Sequence, residues 1–284
     1  MLTSCASSWS SEWTSLQPPC ALAGWLPQAQ TAGGRRRCLP PPRPPLASWL
    51  PPLTLLLRRT LGFETPEAAG VVRDKYFELY HSTMKALIMA SEAGEIPDGK
   101  TFENHQLGEW WAANCDFEGF LTPEPLFIAA LEELEAAGMK LCIFTNGPRA
   151  YALKVLERLE VRRFFADERI FAVEDVLPAC KPEAEAFEKV LAGVGSVAER
   201  SVMFEDSMKN IRGCKALGMG TVLLTGTGAA GEDAKKGEST KIGDTPEADD
   251  PAVDVAMGIM SDIREACPSL WEGTFPSKPA AAAL

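Results

Sequence analysis

Between Lys140 and Thr225 short, wholly apolar runs alternate with amphipathic stretches, and this alternation limits the fold more than any other feature of the chain. The runs "KLCIFT" (140–145), "RIFAV" (169–173), "SVMFE" (201–205) and "GTVLLT" (220–225) are predicted strands. The stretches between them, 148–159, 182–194 and 207–218, place apolar residues at helical spacing and are predicted helices. Strands without a polar face must be covered on both sides, so the pattern implies βαβ units in a parallel sheet, an α/β fold. Ligands of such sheets bind in the crevice beyond the carboxyl ends of the strands, and the residues at those ends are the ones to examine.

Three strand-end sites hold the polar chemistry. The first strand delivers Thr145, Asn146 and Gly147; the loop before the helix at 182 delivers Lys181; the third delivers Glu205, Asp206 and Ser207. A hydroxyl, an amide, a fixed cation and a carboxylate pair suit a phosphate and a hard metal. Mg²⁺ is held by one or two carboxylates together with substrate phosphate, and a lysine supplies a point charge for phosphate oxygens. Each part also has a plainer reading. Asn-Gly is a hairpin signal, although a helix follows here; Lys181 can be an exposed loop lysine; Asp206 or Ser207 can be the N-cap of the next helix. Capping leaves Glu205 unexplained, because a second carboxylate closing an apolar strand is costly without a counter-charge. Asn210, four residues beyond Asp206, falls on the same helical face.

Upstream of the alternation, "TPEAAGVVRDKYFELYHSTMKALIMAS" starts with Thr65 as N-cap and Pro66 at the first helical position. It carries Val72, Tyr76, Leu79, Thr83 and Leu87 along one face and is predicted to be one long helix. "TPEPLFIAALEELEAAG" repeats the Thr-Pro-Glu start and closes on Gly138. Residues 1–52 differ from the rest: they hold Trp9, Trp13, Trp25 and Trp49, the runs "RRR" and "LPPPRPP", and a single acidic residue, Glu12, while the first Asp of the chain is Asp74. They read as a Pro/Arg-rich disordered tail, as an organelle-targeting segment, or as translated sequence foreign to the mature protein. The segment 226–250 is polar and reads as a mobile surface loop, and 274–284 as a disordered tail.

A net charge of −11 argues against a nucleic-acid polymer as partner. The eight cysteines show no metal-ligand spacing and read as small buried hydrophobes in a reducing compartment. No apolar run is long enough to span a membrane. A cytoplasmic location is expected, with targeting by residues 1–52 as the alternative; the oligomeric state is not legible.

With these residues in view, 53–273 resembles the haloacid dehalogenase-like (HAD) hydrolase superfamily, and within it the pyrimidine 5'-nucleotidase type of subfamily I phosphatase. "CIFTNGPRAYALKVLERL" looks like the second motif of that family, with Thr145 as the phosphate-binding hydroxyl and Asn146 and Gly147 beside it. "CKPEAEAFEKVL" looks like the third, with Lys181 balancing nucleophile and phosphate. "MFEDSMKNIRGCKALGMGTVLL" looks like the fourth, with Asp206 a direct Mg²⁺ ligand, Glu205 its acidic, water-mediated companion and Asn210 facing the same site. The resemblance implies a Rossmann-like core over 121–273 and a helical cap over 64–120, with 53–63 leading into it. It makes Tyr80, His81 and Thr83 substrate-facing, although they are equally readable as exposed cap positions. The implied activity is Mg²⁺-dependent hydrolysis of nucleoside 5'-monophosphates.

One departure stands out. HAD phosphatases use the first Asp of an Asp-x-Asp-x-Thr motif, at the end of the first strand, as nucleophile. The stretch expected to carry it, "AGGRRRCLPPPRPP", has neither an Asp nor a strand pattern, so the first core strand is expected to be missing or replaced. Three readings follow. The amino terminus is not that of the active enzyme; or the protein is a pseudoenzyme that binds phosphate or nucleotide; or it acts on another small phosphorylated metabolite.

Overall fold

The computed structural model describes residues 20–23, 60–80, 82–97, 100, 102–225 and 246–275. Its centre is a six-stranded parallel sheet: β1 (Cys20–Ala23), β2 (Lys140–Phe144), β3 (Ile170–Phe171), β4 (Ser201–Glu205), β5 (Gly220–Leu224) and β6 (Val255–Met257), in the spatial order β3-β2-β1-β4-β5-β6. Side chains alternate along β2 and β4 and feed two cores, the first of which β5 also enters. Leu141, Ile143, Val202, Phe204, Val222 and Leu224 pack in one with Leu131 and Leu134 of the helix α4 (Pro125–Ala136). Cys142, Phe144 and Met203 pack in the other with Phe187, Val190 and Leu191 of the helix α6 (Ala184–Val194). Both faces are therefore covered, as the apolar strands require.

The first core strand, expected to be missing or replaced, is present as a short strand from the amino-terminal segment. Cys20–Ala23 forms β1, the central strand, pairing in parallel with β2 on one side (Ala23 beside Ile143) and β4 on the other (Ala23 beside Phe204). The physical reason is that a slot between two strands satisfies both edges of any short apolar run, and "CALA" lies upstream of the stretch judged by pattern alone. With β2 and β4 on opposite sides of β1, the direction of strand addition reverses there, which places the ligand crevice at the carboxyl ends of β1, β2 and β4.

The segment expected to form a cap is helical but begins differently from its pattern. The single long helix expected from Pro66 is two helices, α1 (Pro66–Tyr80) and α2 (Thr83–Glu92). Ser82 breaks it: its backbone is extended, and its buried hydroxyl caps α2 by accepting from the Lys85 amide at 3.5 Å. The break rotates the two faces apart. Tyr76 and Leu87 are buried, whereas Leu79 is 64% exposed. Thr65 does cap α1, accepting from the Ala68 amide at 3.2 Å. A third helix, α3 (Asn104–Asn114), follows within the segment expected to be a cap. In the core, α4 starts at the second proline of "TPEP", Pro125, with Gly138 left-handed just past its end. The helices α5 (Arg149–Arg158) and α7 (Met208–Ala216) flank α6 in the chain and complete the βαβ crossovers.

Most of the segment expected to be a mobile loop, 226–245, and the tail 276–284 lie outside the described residues. The described end of that loop is held: Arg212 bonds Asp250 at 2.7 Å and Glu247 at 3.0 Å. Of the five cysteines whose side chains are described, all free thiols, four are buried and Cys115 is half-buried. Among the described residues no helix is long and apolar enough to cross a membrane.

Candidate active site

Three adjoining loops at the carboxyl edge of the sheet carry the site, and Lys181 ties them together. Its ammonium donates to Glu205 Oε2 at 2.5 Å and to the Phe144 carbonyl at 3.2 Å, joining the end of β4 to the end of β2. It also lies 5.2 Å from the centre of the Phe144 ring. Both side chains of the pair are 3% exposed, so the plain reading of Lys181 as an exposed loop lysine does not hold. A charge this deep needs a partner of opposite sign, and Glu205 is that partner.

Glu205 is thereby fully engaged. Its Oε1 accepts the amides of Asp206 and Ser207, each at 3.3 Å, and the Asn210 side chain donates to the same carboxylate. Burial pushes this carboxyl up, but the Lys181 charge and hydrogen bonds from the Asp206, Lys181 and Asn210 side chains outweigh it and hold Glu205 below the usual carboxylate range. Asp206 goes the other way. Burial first, then the neighbouring Glu205 charge, raises its carboxyl well above the ordinary value. Of the two, Asp206 is the carboxylate that gains from a nearby cation.

The strand that ends in Phe144 delivers Thr145, which is buried, and its hydroxyl oxygen accepts the Gly147 amide at 2.9 Å. That bond fixes the hydroxyl and leaves its proton to be donated. Asn146, singled out as a phosphate neighbour, spends its side chain otherwise: it donates to the Lys181 carbonyl at 2.8 Å and accepts from the Lys181 amide at 2.9 Å. The pair of bonds clamps the lysine loop to the Thr145 loop. Ser207 stands at the N-cap position of α7, and Gly213 on that helix lets it approach the lysine loop, since a Cβ there would lie 2.8 Å from the Pro182 carbonyl.

Of the expected cap residues, Tyr80 reaches the core through its backbone, where its carbonyl accepts from Cys180 Sγ at 3.5 Å. Its ring stacks on Tyr76 and lies under Lys85. Thr83 is half-buried at the start of α2, and His81 lies outside the described residues. A residue of α2 that sequence reasoning missed is Lys85, 12% exposed, which bonds Glu183 two residues past Lys181. Arg149, Glu174 and Asp175 behind the Thr145 loop were also missed. The signal was present, as two adjacent carboxylates directly follow an apolar run in "FAVED".

A family model described as haloacid dehalogenase-like hydrolase matches residues 67–218, more than half of the chain. The chain belongs to the haloacid dehalogenase-like hydrolases. Among curated hydrolases of similar sequence, a phosphorylated carbohydrates phosphatase of Thermotoga maritima is 32% identical over 135 residues, 48% of this chain and 60% of that protein. A phosphoglycolate phosphatase of Caulobacter vibrioides is 30% identical over 36% of this chain and 42% of that one. The chain thus spans less than two thirds of these relatives. A HAD phosphatase structure from Thermococcus onnurineus superposes with a TM-score of 0.51 at 18% identity, covering 88% of this chain and 97% of that one, which supports the fold alone.

Hydrolases of this family generally use Mg²⁺. Asp206 fits a hard cation as one oxygen ligand, because it is a carboxylate beside a second carboxylate and its ionised form is disfavoured as it stands. Glu205 does not fit as a direct ligand, since Lys181, two backbone amides and Asn210 already take its oxygens. Among the described residues no cluster of three or more His, Cys, Asp or Glu is placed to hold a metal. In the sequence no acidic residue falls between Glu12 and Glu64, and β1 is followed by Gly24 and Trp25.

Proposed function

We propose that this HAD hydrolase binds the phosphate of a small phosphorylated metabolite, of the phosphorylated-carbohydrate or phosphoglycolate kind, as a phosphomonoesterase site does. The observation that carries the reading is the buried Lys181, fastened to the ends of both β2 and β4 with Thr145 and Asp206 one residue beyond its two anchors. In this reading the Thr145 hydroxyl and Lys181 ammonium orient the phosphate, Asn146 and Glu205 hold Lys181 in place, and Asp206 supplies an oxygen to Mg²⁺. When bound, Mg²⁺ offsets the charge of phosphate oxygens. Cap closure over the crevice excludes water.

A nucleoside monophosphate was the first expectation from the resemblance. The reported relatives carry names for phosphorylated carbohydrates and phosphoglycolate instead, which favours the third of the three sequence readings. A second reading, binding without turnover, is favoured by one observation: the sequence offers no Asp at the end of β1 to attack phosphorus.

The test is phosphate release from 2-phosphoglycolate, sugar phosphates and UMP with and without Mg²⁺, beside calorimetric binding of inorganic phosphate to the wild type and Lys181→Met. Release from the first two substrates supports hydrolysis of that class. Binding that is lost in Lys181→Met, without release, supports the second reading. Preference for UMP would return the nucleotidase, and neither binding nor release would sink both readings.

A further inference from the structure

We propose that Glu174 is a positioning residue for the phosphate-side loop 145–148, holding it from behind by capping α5 from a separate segment of the chain; the inference deepens the phosphate-ester reading and rests on it for its effect on binding. The first amides of a helix have no partner within the helix, and an N-cap side chain normally serves them. The N-cap of α5 is Pro148, which offers no side-chain acceptor. Glu174 does the work instead, with both carboxylate oxygens 3.1 Å from the Arg149 amide.

The segment around Glu174 laces the whole loop. The Thr145 amide donates to the Phe171 carbonyl at 2.9 Å, and the Val173 amide to the Gly147 carbonyl at 3.2 Å. Asp175 accepts both the Arg149 guanidinium and the Ala172 amide at 2.7 Å, so it pairs the arginine charge and leaves Glu174 for the backbone. The guanidinium also reaches the Ile170 carbonyl at 2.5 Å.

A second, independent contact comes from the cap. A Cβ placed on Gly108 of α3 would lie 3.0 Å from Pro148 Cβ and 3.9 Å from Glu174 Oε1. Bare backbone of the cap therefore rests where Glu174 meets the loop. Moving the carboxylate would shift the seat of the cap and the Thr145–Gly147 backbone together.

Three variants of the full chain separate position from charge: Glu174→Ala removes both, Glu174→Asp keeps the charge but withdraws the oxygens by one methylene, and Glu174→Gln keeps an acceptor at the same reach without charge. The readouts are hydrogen exchange at the Arg149 and Ala150 amides and calorimetric affinity for inorganic phosphate with Mg²⁺. Losing a cap should speed that exchange and weaken phosphate binding by about five- to tenfold in Glu174→Ala and Glu174→Asp, with Glu174→Gln within about twofold of wild type. If Glu174→Gln falls with Glu174→Ala while Glu174→Asp matches wild type, charge and not position is at work and the proposal is overturned. Unchanged exchange in Glu174→Asp overturns it as well, and that variant decides the matter if Glu174→Ala does not fold. Wild-type protein that binds no phosphate would remove the phosphate-ester reading, while the exchange data would still decide how Glu174 acts on the loop.

Discussion

Lys181 and Glu205 form a buried charge pair that joins the ends of β2 and β4. Removing one partner of such a pair leaves the other without compensation, so Glu205→Gln should lower stability by about 3–5 kcal/mol, read as a shift of the urea midpoint. Asp206 gives the opposite sign. Its carboxyl is raised in the folded protein, so between its unfolded and folded values the folded state holds a proton that the unfolded chain has released. Stability from this group is present at low pH and falls as pH rises through that window. Asp206→Asn should therefore raise the melting temperature of the metal-free protein at neutral pH, with little change below about pH 4 where the unfolded carboxyl is also protonated. Added Mg²⁺ should raise the melting temperature of the wild type and leave Asp206→Asn where it is. A wild type indifferent to Mg²⁺ would remove Asp206 as a ligand.

Among the elements, α7 does more than cross over between β4 and β5. Gly213 brings it against the Pro182 carbonyl, and a methyl there meets backbone that cannot swing away. Gly213→Ala should cost about 1–3 kcal/mol despite the better helix propensity of alanine, and should weaken phosphate binding because Lys181 sits on the loop that is pushed. A melting temperature equal to wild type would show that α7 can retreat without loss. The elements were legible where burial on both sides left no polar interruption: β4 lies at the very residues of "SVMFE", and β2 and β5 end one residue short of their runs. The break between α1 and α2 was not legible, because Thr83 and Leu87 continue the apolar spacing of Val72 and Tyr76, and only the extended backbone of Ser82 ends it. The roles of Glu174 and Asp175 were hidden for a related reason. The run "RIFAV" reads as a five-residue strand, but β3 stops at Phe171, and the carboxylates that follow belong to a one-turn helix, Val173–Val176, that bonds back to the Thr145 loop. Thr145, Lys181 and Asp206 stood out by lying where polar residues interrupt apolar runs. What the sequence could not supply was direction: nothing in the letters tells that Asn146 turns to Lys181, or that Glu205 turns to the lysine.

Over the whole molecule the sheet depends on a strand from its least promising segment. β1 has four residues, yet it is the only link between the β3-β2 pair and the β4-β5-β6 group among the described strands. Proline cannot donate to a ladder and is confined to edges, so Leu22→Pro should abolish the cooperative thermal transition and the soluble yield. A variant that melts like wild type would mean that the two groups hold together without β1. The same placement has a consequence for how the chain is made. Of the described strands β1 is synthesised first, but its partners begin at Lys140 and Ser201, so its two edges stay open until those strands have been made. Closing so distant a pairing is slow, and an unfilled slot flanked by two apolar strands is the surface on which nascent chains stick to one another. The step that completes this fold is the late capture of its earliest strand, and chaperone demand during synthesis should follow the length of that wait.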